Sequence, residues 1–199
     1  MSSYKIILEV SRVLRRTLWE GFAGDNDLVQ HVPNEAAIVL QNPADAAEND
    51  DKRLSLWLYQ VQENEFLRNQ RPERVPAQDD LVRFPPLPLN LFYLLTPSTT
   101  TVEGDQMVLG RSMQIFYDNA ILLLESTEQP GTSEELRLSM CQRDLRELAE
   151  VWEALQQPYR LSVCYEVRVT RIESTRTERT GRVRERTAEF QDAGASVGA

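Results

Sequence analysis

The stretch FPPLPLNLFYLLTP, residues 84–97, most constrains what this chain can fold into. On an extended chain one of its faces consists of Leu87, Leu89, Leu91, Tyr93 and Leu95, and the other is apolar at its centre through Phe92 and Leu94. A strand that is apolar on both faces needs cover on both sides. Its prolines donate no ladder hydrogen bonds, so they fit only at the start of a strand or on an edge. This stretch predicts a sheet with helices packed on it.

Three other segments read as strands of the same sheet. Residues 53–64, RLSLWLYQVQEN, are again apolar on both faces, and residues 36–43, AAIVLQNP, give a short run that Pro43 stops. Leu136, Leu138 and Met140 alternate with polar residues and predict a half-exposed strand.

Residues 159–172, YRLSVCYEVRVTRI, give the clearest alternation in the chain. We expect one face to be apolar and the other to be wet. The residues expected on the wet face are Ser162, Cys164, Glu166, Arg168 and Thr170.

Helical periodicity appears three times. The first helix is indicated by Ile7, Val10, Leu14, Leu18 and Phe22, and residues 104–123 give a second such stretch. Asp144 followed by Glu147 predicts a capping box at the start of a third helix, which Pro158 ends. Helices and strands are interspersed without the rhythm of a parallel sheet, so we predict an α+β fold: a single mixed, mostly antiparallel sheet flanked by helices, over residues 1–172.

The charge of the chain is unevenly distributed. The net charge is −9, yet residues 168–191 hold seven arginines against four glutamates, so the remainder carries −12. Beyond Ile172 apolar residues nearly vanish, and we predict that residues 173–199 form an extended C-terminal arm and tail. Threonine-rich extended backbone fits addition to another protein's sheet edge, although a frayed, solvated tail is the simple alternative.

Two groups of arginines are the candidate contact residues. In the arm, which we expect to dock on a partner or a neighbouring subunit, they are Arg176, Arg179, Arg182, Arg184 and Arg186. In the proline-bearing link of residues 67–80, which we expect to be a loop that reaches a neighbour, they are Arg68, Arg71 and Arg74.

The sequence offers no catalytic, cofactor-binding or metal-ligating residues. There is no glycine-rich phosphate loop and no nucleophile elbow, and one histidine with two cysteines cannot make a typical zinc site. We therefore predict that the chain is no enzyme and has no cofactor. A nucleic-acid arm is disfavoured because four glutamates interleave with the arginines and only Phe190 is aromatic. No apolar run approaches the length of a membrane anchor, so we expect a soluble protein made in the cytosol.

Several segments jointly resemble the N-terminal domain of the cap proteins of phage-tail-like contractile injection systems. They are residues 53–69, 84–97, 109–122 and 145–169, together with the first helix. The resemblance implies a tail-terminator-like domain in a sixfold ring of identical subunits. Such a ring would close the baseplate-distal end of the inner tube and bind the tube protein and the last layer of sheath protein. The resemblance then implies that the arm arginines meet sheath or a neighbour and the link arginines tube or a neighbour.

The same resemblance leaves a second role open, that of a baseplate or tube adaptor in such a particle. A nucleic-acid-binding module that uses the arginine-rich arm is a weaker alternative. In either structural role we expect assembly in the cytoplasm, after which the chain is part of the particle, inside the cell or released from it.

Overall fold

The structure, a computed structural model, describes residues 4–75, 78–125 and 133–179. The chain divides into two compact units, Met1–Gln70 with Pro86–Glu173, and Arg71–Pro85 with Ser174–Ala199. The larger unit contains all five α-helices of the described residues: α1 (Ile6–Phe22), α2 (Asn26–Val29), α3 (Pro43–Ala47), α4 (Val102–Asp118) and α5 (Leu145–Ala154). A short 3-10 turn, Glu35–Ala37, precedes the first strand.

The larger unit is built on a six-stranded sheet. Its strands are β1 (Ile38–Val39), β2 (Leu54–Glu63), β5 (Leu87–Pro97), β6 (Ile121–Glu125), β7 (Ser133–Met140) and β8 (Val163–Ile172), in the spatial order β1-β2-β5-β8-β7-β6. β1 runs parallel to β2, and the other neighbours are antiparallel. The prediction of a mixed, mostly antiparallel sheet is confirmed. The apolar segment 84–97 becomes β5, one of the two central strands. Pro85 and Pro86 precede the strand, Pro88 is its second residue, and Pro97 is its last.

Helices α1 and α4 cover one face of the sheet, which we call the inner face. The predicted stripe of α1 is confirmed, since Val10, Leu14, Leu18 and Phe22 are fully buried. They pack with the inward residues of β5, among them Leu91 and Tyr93, in one continuous core. The ring of Phe116 from α4 meets that of Tyr165 from β8 edge to face at 4.9 Å. The inner face therefore holds most of the apolar burial that stabilises the unit.

The opposite, outer face is covered in part by α5. Asp144 and Glu147 form the predicted capping box, which fixes the start of this helix. Trp152 is the buried residue of α5, and its indole Nε1 donates to Ser162 Oγ at 3.2 Å. Beneath this helix the outer face is dry: Cys164 is 1% exposed and Leu94 is fully buried. The expectation of a solvent-exposed face on β8 was wrong for Ser162, Cys164, Glu166 and Thr170, which are all buried. Ser162 bonds Trp152 of α5, Cys164 contacts the Tyr59 hydroxyl of β2, and a bulge turns Thr170 to the inner face.

The bulge lies between β5 and β8. Leu91 pairs with Val167, but Leu89 pairs with Thr170, so one extra residue is inserted in β8. An inserted residue reverses the face to which the following side chains point. Thr170 therefore shares the inner face with Leu89 and is fully buried, and Ile172 packs against the inner core.

The segment 104–123 is not helical throughout. α4 ends at Asp118, and Asn119 closes it by donating from its side-chain amide to the Ile115 carbonyl at 2.8 Å. Strand β6 follows at once, at the edge of the sheet. The continuous apolar run of residues 121–124 fits a helix as well as a strand, so periodicity alone could not reveal the change.

The smaller unit contains a three-stranded antiparallel sheet with the order β3-β4-β9. The strands are β3 (Glu73–Val75), β4 (Gln78–Arg83) and β9 (Thr177–Arg179). The link of residues 67–80 was expected to be a loop, but its second half forms β3 and the start of β4. The arm was expected to begin after Ile172 without a partner in its own chain, yet β9 pairs with residues 81–83. The extended segment that contains Thr177 does pair with a sheet edge, but that edge belongs to the same chain and not to another protein.

Candidate interaction surfaces

Within residues 4–75, 78–125 and 133–179, no group of three or more His, Cys, Asp or Glu side chains could hold a metal ion. None of the helices in the same ranges is both long enough and apolar enough to cross a bilayer. The features of the larger unit that point to function are instead surfaces, and three of them are described below.

The first is the β6 edge surface, defined by Ile121, Leu123 and the backbone of β6 on the side away from β7. No strand pairs with that side among the described residues. Ile121 is 60% exposed and Leu123 is 64% exposed, whereas their neighbours Leu122 and Leu124 turn towards the inner core. An exposed, apolar edge strand is a ready template for another chain.

The second is a groove between the β6 edge surface and α1. Its walls are Leu123 and Leu124 from β6 and, from α1 and the 3-10 turn, Glu9, Arg12, Val13, Arg15, Arg16 and Glu35. Arg15 is held by Glu35 at 2.9 Å, whereas Arg16 lies 3.9 Å from Glu20 and both of those side chains are largely exposed. Arginine beside apolar surface is typical of protein interfaces, and this groove carries charges of both signs next to an open strand edge.

The third is a groove of about 460 Å³ on the outer face, between β2 and α5. Trp57 and Tyr59 form its floor, and Leu148, Val151 and Arg143 line its wall. Arg143 bonds Glu147 at 2.6 Å and lies over the Phe92 ring at 5.8 Å. This arrangement orders the arginine at the mouth of the groove.

A polar cluster lies under that groove. The Tyr59 hydroxyl lies 3.0 Å from Cys164 Sγ, and the Cys141 amide donates to the Cys164 carbonyl at 2.8 Å. A hydrogen bond from the Cys141 thiol, helped by Tyr59 and Arg143, lowers the pKa of Cys164 to about 7 against the opposing effect of burial. The pKa of Cys141 is raised, first because its proton is shared with Cys164 and then because of burial. Burial also raises the pKa of Tyr59.

The arginines proposed as contact residues lie in different places. Arg68 is exposed in a turn of the larger unit, whereas Arg71 and Arg74 are exposed in the smaller unit, Arg74 within β3. The structure thus assigns the three residues of the predicted loop to two units.

The arm arginines are described only in part. Arg176 stacks on the Phe84 ring at 4.2 Å and lies 3.9 Å from Glu178, so this guanidinium makes contacts inside the smaller unit. Arg179 is exposed on β9. Arg182, Arg184 and Arg186 lie outside the described residues.

The sequence analysis predicted none of the three surfaces. The helical spacing of the apolar residues in 104–123 gave no sign that Ile121 and Leu123 belong to an edge strand. Asp118-Asn119 is a helix-stop signal that could have suggested the change from helix to strand. The pairing of Cys141 with Cys164 requires the register of β7 on β8, which the separate strand predictions did not give.

The fold is that of a tube and sheath terminator. The structure matches the sheath/tube terminator of PVC, an extracellular contractile injection system solved by cryo-EM in its extended state, with a TM-score of 0.62 and 16% identity over 98% of this chain and 67% of that chain. The chain belongs to the family described as the Pvc16 N-terminal domain, whose model matches residues 9–186. This confirms the resemblance found in the sequence.

A second solved structure, the tube-terminating cap of the anti-feeding prophage, matches with a TM-score of 0.45 and 18% identity, over 68% of this chain and 48% of that chain. The chain therefore spans about two thirds of the first matched protein and about half of the second. No curated protein matches the chain in sequence.

Proposed function

We propose that this chain is a structural terminator, which ends the inner tube and the sheath of a contractile injection particle at the end opposite the baseplate. The observation that carries the proposal is the agreement in fold over nearly the whole chain with a sheath/tube terminator. In this role the chain binds the tube protein and the last layer of sheath protein, joins the particle in the cytoplasm, and performs no catalysis.

The physics of termination explains why such a part is needed. Rings that stack head to tail form an open assembly, which grows as long as its end is complementary to another ring. A terminator binds that end with one face and presents a different face outward, so growth stops. A ring of identical subunits, six of them by analogy with the sixfold ring that the resemblance implies, matches the symmetry of such an end.

We propose that the β6 edge surface and its arginine-flanked groove contact a neighbouring copy in that ring. An exposed apolar edge of this kind is a liability in a free subunit and is removed when another chain covers it. In this contact Arg12 and Arg16, which line the groove, would face carboxylates of the neighbouring copy. The arm beyond β9, with Arg182, Arg184 and Arg186, remains our proposed sheath contact, and Arg68, Arg71 and Arg74 our proposed contacts to tube or neighbour.

Immunogold labelling of purified particles tests the position. With an antibody raised against this chain, we expect gold at the end opposite the baseplate. Gold at the baseplate would contradict the terminator role and favour an adaptor subunit.

Variants expressed in a strain that lacks the native gene test the surfaces. Leu123→Glu places a charge on the β6 edge surface and should leave a folded chain that is depleted from particles at least several-fold. Val102→Glu is the matched control, because Val102 is 69% exposed at the first turn of α4, where a carboxylate is favoured by the helix dipole. Equal recovery of both variants on particles would refute the proposed ring contact.

Two truncations separate β9 from the rest of the arm. A stop after Arg179 keeps β9, whereas a stop after Ile172 also removes the strand that pairs with residues 81–83. If the distal arm binds sheath, both truncations lose sheath at the capped end. Full sheath retention with the chain ending at Arg179 would refute a role for Arg182, Arg184 and Arg186.

A further inference from the structure

The two cysteines of the chain face each other across β7 and β8. Met140 is the partner of Tyr165, so one step further along the ladder Cys141 lies opposite Cys164, and the 2.8 Å bond from the Cys141 amide to the Cys164 carbonyl continues the pairing. Opposed residues joined in this way in an antiparallel pair have Cα atoms about 5.5 Å apart. Disulfides bridge Cα separations of about 4.4–6.8 Å.

The two side chains also share a face, because opposed residues of an antiparallel pair point to the same side of the sheet. Both cysteines are free thiols, with Cys164 buried and Cys141 half-exposed, so the pair is reached from solvent at Cys141.

We propose that Cys141 and Cys164 form an oxidisable dithiol site, which a small hydroperoxide converts to an intramolecular disulfide. The Cys164 thiolate attacks one oxygen of the peroxide, the O–O bond breaks, and Cys164 becomes a sulfenic acid while hydroxide or alkoxide leaves and takes up a proton. Cys141 then loses its proton and attacks the sulfenic sulfur, the S–O bond breaks, and water is released as the S–S bond forms. Two thiols are oxidised and one hydroperoxide is reduced.

The surroundings favour Cys164 as the attacking group. The Tyr59 hydroxyl lies 3.0 Å from its sulfur, and the positive charge of the Arg143 guanidinium also favours its thiolate. Donors of this kind stabilise a thiolate, and the thiolate is the nucleophile in peroxide reduction. The half-exposed Cys141 is the resolving thiol.

The position of the bridge gives it a consequence for the fold. Cys141 begins the short link to Asp144, the N-cap of α5, so a disulfide would tether the start of that helix to the middle of the sheet. The cover over the outer face would then be held covalently. We expect the oxidised chain to unfold at a temperature several degrees higher than the reduced chain.

Peptide mapping of the purified full chain tests the proposal. After treatment with hydrogen peroxide and alkylation of remaining thiols, trypsin cleaves after Arg143 and Arg160, so the bridge would join the peptide of residues 138–143 to that of residues 161–168. We expect this linked pair in the monomer, loss of both free thiols, and its disappearance after reduction. Two free thiols after treatment, or disulfides only between chains, would overturn the proposal.

Cys141→Ser keeps the fold testable, because this side chain is half-exposed whereas Cys164 is buried. In this variant peroxide should leave a sulfenic acid on Cys164, trapped by dimedone, and the rise in melting temperature on oxidation should vanish. A rise that persists in Cys141→Ser would show that the stabilisation does not come from the bridge and would refute the inference.

Discussion

The hydrogen bond between Ser11 and Tyr93 offers a sharp test of how α1 is fixed to the sheet. The two hydroxyl oxygens are 2.8 Å apart, with Ser11 6% exposed and Tyr93 fully buried. Ser11 also donates to the carbonyl of Ile7 at 3.0 Å. Since the serine proton is used there, the tyrosine hydroxyl donates to Ser11 Oγ.

This direction makes the two single variants unequal. Ser11→Ala leaves the buried Tyr93 hydroxyl without a partner, which costs about 1–3 kcal/mol, reduced by roughly 0.5 kcal/mol because alanine favours the helix. Tyr93→Phe removes the donor and leaves Ser11 its bond to Ile7, which costs about 0.5–1.5 kcal/mol. The double variant removes the unpaired group and should be more stable than Ser11→Ala alone.

Urea denaturation of the wild-type chain, the two single variants and the double variant measures these free energies, compared at a common slope of unfolding free energy against urea concentration. Thr17→Ala is the matched control, since Thr17 donates to the carbonyl of Val13 at 3.0 Å in the same way but has no partner in the sheet. It should change the free energy of unfolding by only a few tenths of a kcal/mol. Losses that add fully in the double variant would refute the assigned direction.

Four further predictions concern local packing, capping and titration. A Cβ at Gly21 would lie 2.5 Å from Ile115 Cδ1, so Gly21→Ala should lower the free energy of unfolding by about 1–3 kcal/mol, and in denaturant unfolding the loss should be smaller when Ile115→Ala is added than the two single losses predict. Asp144→Ala removes the cap of α5 and should cost about 1 kcal/mol by the same measurement, whereas Asp144→Ser should keep most of it. Gln156 has a φ of 55°, so Gln156→Gly should raise the melting temperature, with a gain of roughly 0.5–1 kcal/mol, and an unchanged or lower melting temperature would contradict this. Burial raises the pKa of Tyr93 and of Tyr165 to about 12, so the stability that each contributes in neutral form is complete below pH 10 and lost between pH 10 and 12; chemical denaturation across that range should show the decline, and a flat profile would contradict it.

Much of the larger unit follows from sequence pattern because its strongest signals have one physical solution. Because β5 is apolar on both faces, its sheet had to be covered on both sides. The apolar stripe from Val10 to Phe22 had to form a helix that packs on that sheet. The capping box at Asp144 was readable because two side chains three residues apart satisfy each other's backbone amides. Each of these signals comes from residues that are close together in sequence, and each predicted element is present in the structure.

The elements that sequence reasoning missed depend on contacts distant along the chain. Cys164 and Glu166 look solvent-facing by alternation, yet both are buried, and Cys164 contacts the hydroxyl of Tyr59, which lies more than a hundred residues earlier in the chain. Thr170 changes face because of a bulge that no local pattern marks. The partner of Thr177–Arg179 is β4, almost a hundred residues earlier in the chain, so a strand and a frayed tail look alike in sequence. The candidate surfaces could not be predicted for the same reason, since the edge of a sheet is defined only once the strand order is known.

The most direct test of the central claim is the length of the particle in the absence of this chain. The gene is deleted in a producing strain, and tube length and sheath completeness are measured by electron microscopy against the parent and a complemented strain. We expect overlong tubes, or tubes whose sheath is ragged or absent at the end opposite the baseplate, with normal particles restored on complementation. Particles of normal length with both ends intact would contradict the terminator role.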